Sequence, residues 1–192
     1  PQDVQGQRAY GEEGVERLAS VQARKLTTIR KSHAATLETA RAKMITSGDI
    51  YAPNGTVVGN VYTDFGVTRK QVAMDLTNAA TDVLGKQRDI VDHIQDNIMS
   101  GETPSEIIAL CSPSYFDAYI SQAGVKEAYK FYTSTQEPLR NGNWSQFRHG
   151  DITLIRYNGK FKDASGVSQA LIPDGDAYYL PLDTSDTFKT YF

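Results

Sequence analysis

The hydrophobic pattern of this chain is dominated by one stretch, Gly14 to Ser47, which has no internal glycine or proline. We predict a single helix over residues 14–47, because its apolar residues recur at the helical period and form one face. At about 1.5 Å per residue it would be roughly 50 Å long, more than a compact core needs. We interpret it as a strut; the alternative is an ordinary packing helix of an α+β protein. The stripe consists of Val15, Leu18, Val21, Leu26, Ile29, His33, Leu37, Ala40 and Met44.

The ends of this stretch also suit a helix. Negative charge is favourable at the start of a helix and positive charge at its end. The charged residues placed accordingly are Glu12, Glu13 and Glu16 at the start and Arg41 and Lys43 at the end. Gly48 follows as a residue that can end the helix in a left-handed conformation. The polar residues 1–13 that precede it predict an extended arm.

After Gly48 the pattern changes from helical to alternating, which predicts strands. A short strand over residues 49–52 is followed by the turn sequence Pro53-Asn54-Gly55 and by a second strand, Thr56 to Tyr62. Together these predict a β-hairpin. Apolar and polar residues alternate again from Lys70 to Leu76, which predicts a third, half-buried strand.

The middle of the chain predicts a helix, a buried strand and further helical turns. Thr77-Asn78 can cap a helix over Ala79 to Ser100. Glu106 to Cys111 is a short apolar run and predicts a buried strand. Ser112-Pro113 has the form of an N-cap followed by proline at the first helical position. The helix that it starts should continue, interrupted near Gly124, to residue 132.

The last third predicts strands separated by polar segments. Residues 133–150 are polar and irregular, which is typical of a functional or mobile loop. The predicted strands are Asp151 to Tyr157, a return beginning at 160–162 after the turn Asn158-Gly159, Gln169 to Ile172 and Ala177 to Leu182. The last two are joined by residues 173–176, which carry type I turn chemistry.

Composition places the chain among globular proteins. It has 192 residues, 40% hydrophobic and 22% charged, with a net charge of −3. No global basic field indicates a nucleic-acid partner. The single Cys111 excludes an internal disulfide and fits a reducing cytosol. No apolar run or signal sequence indicates a membrane or secretion. Because the chain begins without Met and stops abruptly, we interpret it as a fragment or processed product.

Two groups of candidate catalytic residues have simpler explanations. Asp64-Phe65-Gly66 matches the metal-binding triplet of protein kinases, but the glycine-rich loop, strand lysine and His-Arg-Asp loop are absent from the sequence. A turn that ends a strand explains it. His33, His93 and His149 have no metal-ligand spacing to one another or to Cys111, which is more typical of packing or surface residues.

The remaining candidates are equally weak. Cys111 at the end of an apolar strand is typical of a core thiol. Asp174, Asp176, Asp183 and Asp186 lack the spacing of an EF-hand loop. Two segments, residues 54–56 and 143–145, match the glycosylation triplet. They do not indicate glycosylation, because the sequence shows no secretion signal. Basic residues along the long helix suggest a solvated face or, as an alternative, contact with packaged nucleic acid: Lys25, Arg30, Lys31, Arg41 and Lys43. We expect no catalytic, cofactor-binding or metal site.

The order of the segments is more specific than any one motif. Ala42 to Gly48 ends the long helix and a hairpin leads into Val61 to Gly66. Later segments are Ile107 to Cys111 leading into Phe116, Gly124 to Ala128, Arg156 to Phe161 and Ala170 to Ala177. From about Gly14 to Phe192 this succession resembles the major capsid protein E family of tailed phages and prophages, the lambda-type coat proteins.

The resemblance implies an HK97-type coat fold, α+β in class. Residues 1–13 would be the remnant of an extended arm or E-loop, and 14–76 part of the P domain, with the spine helix 14–47 and strands within 49–76. Residues 77–192 would form the axial A domain. The implied function is a structural subunit that self-assembles into hexamers and pentamers of an icosahedral capsid around the genome. The implied partners are other copies, scaffolding, portal and decoration proteins, and packaged DNA, which would be contacted without sequence readout. The virion would be assembled in the bacterial cytoplasm.

Two alternatives remain open. The same fold could form the shell of a protein compartment that stores an enzyme. A different class is a cytosolic α+β enzyme or ligand-binding module, using a pocket between the helix 79–100 and the C-terminal strands. The lack of a convergent set of titratable residues speaks against this second alternative. Eleven tyrosines and seven phenylalanines suit association, because aromatic anchors contribute much of the binding energy at interfaces.

Overall fold

The computed structural model describes residues 18–52, 55–98, 102–132, 145–162, 167–184 and 187. Its first element is the helix α1, Leu18–Ser47, which is continuous, so the prediction of a single helix is confirmed over that range. Residues 14–17 and the predicted arm 1–13 lie outside the described residues. Gly48 ends the helix at φ +78, and its N–H bonds back to the carbonyl oxygens of Lys43 and Met44 (3.1 and 3.0 Å). Glycine tolerates this conformation because it lacks a Cβ.

The hairpin after α1 is present but shorter than predicted. Strands β1, Asp49–Tyr51, and β2, Val57–Asn60, pair antiparallel. The prediction that the second strand reaches Tyr62 is wrong. The side chain of Asn60 accepts from the N–H groups of Tyr62 and Thr63 (3.0 and 3.3 Å) and thereby starts a short helix, α2, Val61–Asp64. An asparagine at this position satisfies donors that would otherwise lack a partner, which favours the helix over the strand.

The predicted strand over Lys70 to Leu76 is also wrong. Its alternation is real, since Met74 is buried and Val72 and Leu76 are half-buried while their neighbours are exposed. The segment nevertheless pairs with no strand of the described structure. Two of its carbonyl groups accept hydrogen bonds from a side chain instead: Lys86 Nζ donates to the carbonyl oxygens of residues 73 and 74 (2.6 and 3.3 Å).

The next helix, α3, is Val83–Asn97, so the predicted range Ala79 to Ser100 was too long at its start. Asp82, and not Thr77-Asn78, is the N-cap: its carboxylate accepts from Gly85 N–H at 2.9 Å. The side chain of Asn78 serves a separate turn by accepting from Ala80 N–H (3.0 Å).

The central sheet has four strands, which lie in the order β4, Gln146–His149, β5, Ile152–Arg156, β3, Glu106–Cys111, and β8, Ala177–Leu182. The predicted buried strand Glu106–Cys111 is confirmed as β3; it lies parallel to β5, Ile152–Arg156, and antiparallel to β8, Ala177–Leu182. The edge strand β4, Gln146–His149, corrects the prediction of an irregular segment over 133–150. Residues 133–144 of that segment lie outside the described residues.

The helices between β3 and β4 follow the prediction closely. α4 is Pro113–Ser121, and its N-cap is Ser112, whose hydroxyl accepts from Tyr115 N–H (3.3 Å). α5 is Ala123–Tyr132. The interruption lies at Gln122, just before Gly124, and the Gln122 side chain caps α5 by accepting from Val125 N–H at 2.9 Å.

The remaining strands form a separate two-stranded sheet. β6, Lys160–Lys162, pairs with β7, Ser168–Ala170, so the predicted return from β5 to β6 is wrong. The strand predicted over Gln169 to Ile172 ends at residue 170, and its last two residues are buried outside any strand. The turn at residues 173–176 has Gly175 at φ +84, a conformation that excludes type I and is typical of type II.

The core lies on one face of the central sheet. The residues of β3 and β5 that point to this face are buried, and α3 and α4 cover them. The buried set includes Val83, Ile90, Ile107, Ala109, Cys111, Tyr115, Phe116, Tyr119, Ile152 and Leu154. This α+β arrangement leaves α1 outside the core, where it contacts the hairpin strand β1.

Candidate interaction surface

The exposed apolar stripe of α1 is the most extended candidate surface. Its four large hydrophobic residues, Leu26, Ile29, Leu37 and Met44, are between 46% and 55% exposed. They follow one another at helical spacing, so they lie along one side of the helix. All residues from 22 to 38 are exposed, whereas Val21, just before them, is buried, and the residues of α1 that face the body across a groove lie between Ala34 and Thr46. The apolar face that the sequence predicted therefore does not pack against the core.

A second group of exposed apolar side chains lies on the hairpin and in the turn that follows α2. Phe65 is 76% exposed and Val58 is 71% exposed, and Ile50, Val57 and Val67 are also exposed. Single exposed apolar residues are common, but several on one short segment indicate an interaction surface. Sequence reasoning considered Phe65 only as the middle of a kinase-like triplet. The preceding short helix, which depends on the Asn60 cap, is what presents its ring to solvent.

An apolar groove of about 370 Å³ separates the C-terminal half of α1 from the body. Ala34, Leu37 and Ile45 line it on the helix side, and Leu110, Ile172 and Tyr178 line it on the body side. Across the groove the Tyr157 hydroxyl donates to the carboxylate of Glu38. Burial, reinforced by Glu38, raises the pKa of Tyr157 to about 12. The phenol therefore stays a hydrogen-bond donor to the helix at neutral pH.

A larger open groove, about 1100 Å³, lies between α3 and the C-terminal strand β8, at the position that the enzyme alternative requires. Several of its polar side chains are engaged in structural contacts. His93 contacts Asn97 on the same helix, and the carboxylate of Asp174 accepts from the hydroxyl of Ser114. Arg69 donates to the carbonyl oxygen of Thr46 at 2.5 Å and lies over the rings of Tyr62 and Tyr178.

The other sequence candidates are also accounted for. Cys111 is fully buried, and burial raises the pKa of its thiol to about 12. The carboxylate of Asp64 accepts from Asn60 N–H (3.1 Å), and that of Asp183 accepts from the hydroxyl of Ser105 (2.5 Å). His33 is exposed on α1. Residues 54, 143, 144 and 186 lie outside the described residues, and within the described ranges no His, Cys, Asp and Glu side chains cluster as metal ligands would.

His149 is the half-buried histidine, and it contacts the core residue Tyr119. Its Nδ1 shares a 2.7 Å hydrogen bond with the Tyr119 hydroxyl, and its ring stacks on Phe147. Its Nε2 is buried and has no hydrogen-bond partner in the described part of the chain. Burial lowers the pKa of His149. Sequence spacing gave no indication of this contact, because the two residues belong to different elements.

The basic residues of α1 are distributed around the helix. Arg30, Lys31 and Arg41 are exposed, and Lys43 lies over the Phe161 ring at 4.8 Å. Lys25 is also exposed. Across the described ranges, no helix has both the length and the apolar character needed to cross a bilayer.

Comparison with known proteins gives these surfaces a context. The whole chain, residues 1–192, matches the sequence model described as phage major capsid protein E. It is 37% identical over 206 residues to a major capsid protein of Pseudomonas phage KPP10, covering all of this chain and 59% of the relative. It is 26% identical over 191 residues to a major capsid protein of Salmonella phage Felix O1 (isolate Felix O1-VT1), covering 90% of this chain and 51% of that relative. The chain therefore spans little more than half the length of these relatives.

Proposed function

The chain belongs to the phage major capsid protein E family, and from this premise we propose that it is part of a structural subunit of an icosahedral phage or prophage capsid. The observation that carries the proposal is the exposed apolar stripe of α1. Leu26, Ile29 and Leu37 face solvent along a helix that the core does not need. A shell subunit requires such surfaces, because it must repeat the same contacts around closed rings.

We propose an HK97-type fold for the complete subunit. Residues 14–76 would be the part of the P domain that holds α1 and the hairpin, and 77–192 the axial A domain that holds the central sheet. Residues 1–13 would belong to an arm or E-loop. In support, the N-terminal region contributes little to the core, whereas the core residues lie almost entirely within 74–154. The proposed boundary near residue 76 would separate these two regions, with Met74, just before it, packed in the core of the second.

The proposed activity is association without catalytic turnover. Other copies, in hexamers and pentamers, would be the main partners. Scaffolding, portal and decoration proteins would be further partners, and assembly would take place in the bacterial cytoplasm. Contact with packaged DNA would be non-specific and local, because the basic residues of α1 are offset by a net charge of −3. Such phosphate contacts weaken as salt rises.

A charge placed on the stripe tests the proposal. Ile29→Asp in the full-length polypeptide should block assembly, because burying an unpaired carboxylate is costly. Light scattering measures the extent of assembly. The free subunit should unfold at nearly the same temperature, since the position is exposed there and surface changes alter stability by only about 0.5 kcal/mol. Thr28→Asp, on a neighbouring exposed position outside the stripe, is the matched control and should assemble. Equal assembly of both variants would contradict a role for the stripe.

A further inference from the structure

We infer that Phe65 of one subunit inserts into the apolar groove under α1 of a neighbouring copy of the same chain. This inference rests on the proposed self-association and names one of its contacts. Phe65 is 76% exposed, the largest exposed fraction among the large hydrophobic residues of the described structure. The groove has about 370 Å³ of open space, enough for one aromatic ring, and it is lined mainly by apolar side chains.

The position of Phe65 is fixed by its local structure. Asn60 caps the preceding helix α2, and the N–H of Phe65 bonds to the carbonyl oxygen of Val61 (3.1 Å). The N–H of Val67 bonds back to the carbonyl oxygen of Tyr62 (3.0 Å), which closes the turn behind the ring. Because the backbone on both sides is bonded, the ring is presented to solvent at little further conformational cost. A side chain that is already positioned loses less entropy on binding.

The groove is formed by elements that are far apart in sequence. Ala34, Leu37 and Ile45 come from α1, and Leu110 and Ile172 come from the body. The bond from the Tyr157 hydroxyl to Glu38 joins the body to α1 beside the groove and holds the helix against the body. The groove is therefore part of the folded subunit, as an anchoring pocket at an interface should be.

One pair of charges beside the two surfaces, Asp64 and Arg41, is complementary, and Glu38, which also lines the groove, accepts a hydrogen bond from the Tyr157 hydroxyl. Asp64, which directly precedes Phe65, is exposed. Arg41 lies on the wall of the groove and is exposed, and the described residues provide it with no carboxylate partner. Opposite charges favour the correct orientation during encounter. This pairing favours a second copy of the chain as the occupant.

The contact joins two different surfaces of identical chains. Such a head-to-tail contact generates a ring if the rotation closes and a filament if it does not. A ring of this kind is what a capsid hexamer or pentamer requires. Each subunit would then donate one Phe65 and receive another.

Cross-linking in the full-length polypeptide tests the inference. Under a mild oxidant the double variant Phe65→Cys, Ala34→Cys should give a ladder of covalent oligomers, because each copy carries both halves of the contact. A mixture of the two single variants should give covalent dimers only. The matched control pairs Ala34→Cys with Val58→Cys, which is similarly exposed on the hairpin, and should give no ladder. The native Cys111 is fully buried and should not react.

Two further variants separate this contact from assembly in general. Phe65→Ser removes the ring, and Ala34→Phe fills the groove; each should raise the concentration needed for assembly by about tenfold or more. Ala35→Phe, on α1 but outside the groove, is the control and should assemble normally.

The outcomes distinguish the alternatives. If the wild type forms shells and Phe65→Ser does so at the same concentration, the inferred contact is wrong and the proposed function stands. An intrachain disulfide in the double variant would show that Phe65 occupies the groove of its own chain. The absence of any cross-link would show that the groove has another occupant. Either result overturns the inference. If the wild type never associates, the proposed function and the inference both fail.

Discussion

The side-chain amide of Asn60 donates to the carbonyl oxygen of Ser47 at 2.9 Å, which joins the start of α2 to the last residue of α1. The same amide donates to the carboxylate of Asp49 at 2.8 Å. The hydroxyl of Ser47 also donates to this carboxylate, at 2.6 Å, and the two bonds, that from Ser47 first, lower the pKa of Asp49. One asparagine therefore joins the end of the long helix and the first residue of the hairpin to the short helix that precedes Phe65.

The first prediction concerns this junction. Asn60→Ala removes the two donated bonds and the cap of α2. The carbonyl of Ser47, the carboxylate of Asp49 and the first N–H groups of α2 then lose a partner, so the free energy of unfolding should decrease by about 1–3 kcal/mol. Chemical denaturation of the purified chain measures this loss. Asn158→Ala, at an exposed position, is the control and should change the free energy by less than about 0.5 kcal/mol. Equal effects would show that the Asn60 junction contributes nothing specific.

The second prediction concerns α1. Leu26→Pro removes a backbone donor and places a ring against the preceding turn, at a local cost of about 3 kcal/mol or more. Because residues 22–38 are exposed, the central sheet should keep its melting temperature while helical circular dichroism decreases and assembly is lost. Leu26→Ala is the control and should keep the helix. A large decrease in the melting temperature of Leu26→Pro would show that this part of α1 supports the core.

The third prediction is a loss of stability in mild acid. Burial lowers the pKa of His149 in the folded state below its ordinary 6.5. The unfolded chain therefore binds more protons between these two values, and the free energy of unfolding falls as the pH decreases below about 6.5. In the protonated ring both nitrogens carry an N–H, and the buried Nε2 has no acceptor among the described residues.

Denaturation curves measured in steps from pH 7.5 to pH 5 test this prediction, with the range set by the ordinary histidine pKa of about 6.5. His149→Gln keeps a hydrogen-bonding group near Tyr119 but cannot titrate, so its stability should vary less with pH in this window. His93→Gln, which removes an exposed histidine, should retain the wild-type dependence. An unchanged slope in His149→Gln would contradict the assignment.

The fourth prediction concerns Cys111. Its thiol is fully buried and its pKa is raised to about 12, so it should not react with a thiol reagent in the native protein at pH 8 and should react completely in denaturant. An engineered Val58→Cys thiol, exposed on the hairpin, should react at once under the same conditions. Rapid labelling of native Cys111 would indicate that the core opens frequently.

The sequence predicted best those elements whose determinants are local. The continuous helix α1 and the Ser112-Pro113 start of α4 were correct, because period and capping are properties of neighbouring residues. Lys70 to Leu76 shows the limit: alternation reports that one side is buried, but it does not report whether another strand pairs with the backbone. Conversely, Gln146–His149 has a weak apolar pattern and becomes a strand because it pairs with the edge of β5.

The interaction surfaces could be predicted only in part. The stripe of α1 was visible in the sequence, but not that Leu26 and Ile29 would remain exposed, because exposure depends on where the rest of the chain packs. Neither the groove under α1 nor the pairing of Tyr119 with His149 could be predicted, because both bring together residues from distant elements. Segment order, by contrast, was sufficient to indicate the family.

Electron microscopy of the full-length polypeptide, expressed with its neighbouring phage genes, tests the central claim most directly. We expect closed shells of uniform size built from rings of subunits, and we expect Ile29→Asp to abolish them while the free subunit remains folded. Subunits that stay monomeric under every condition, together with reproducible turnover of a substrate, would contradict the claim that this chain functions by association.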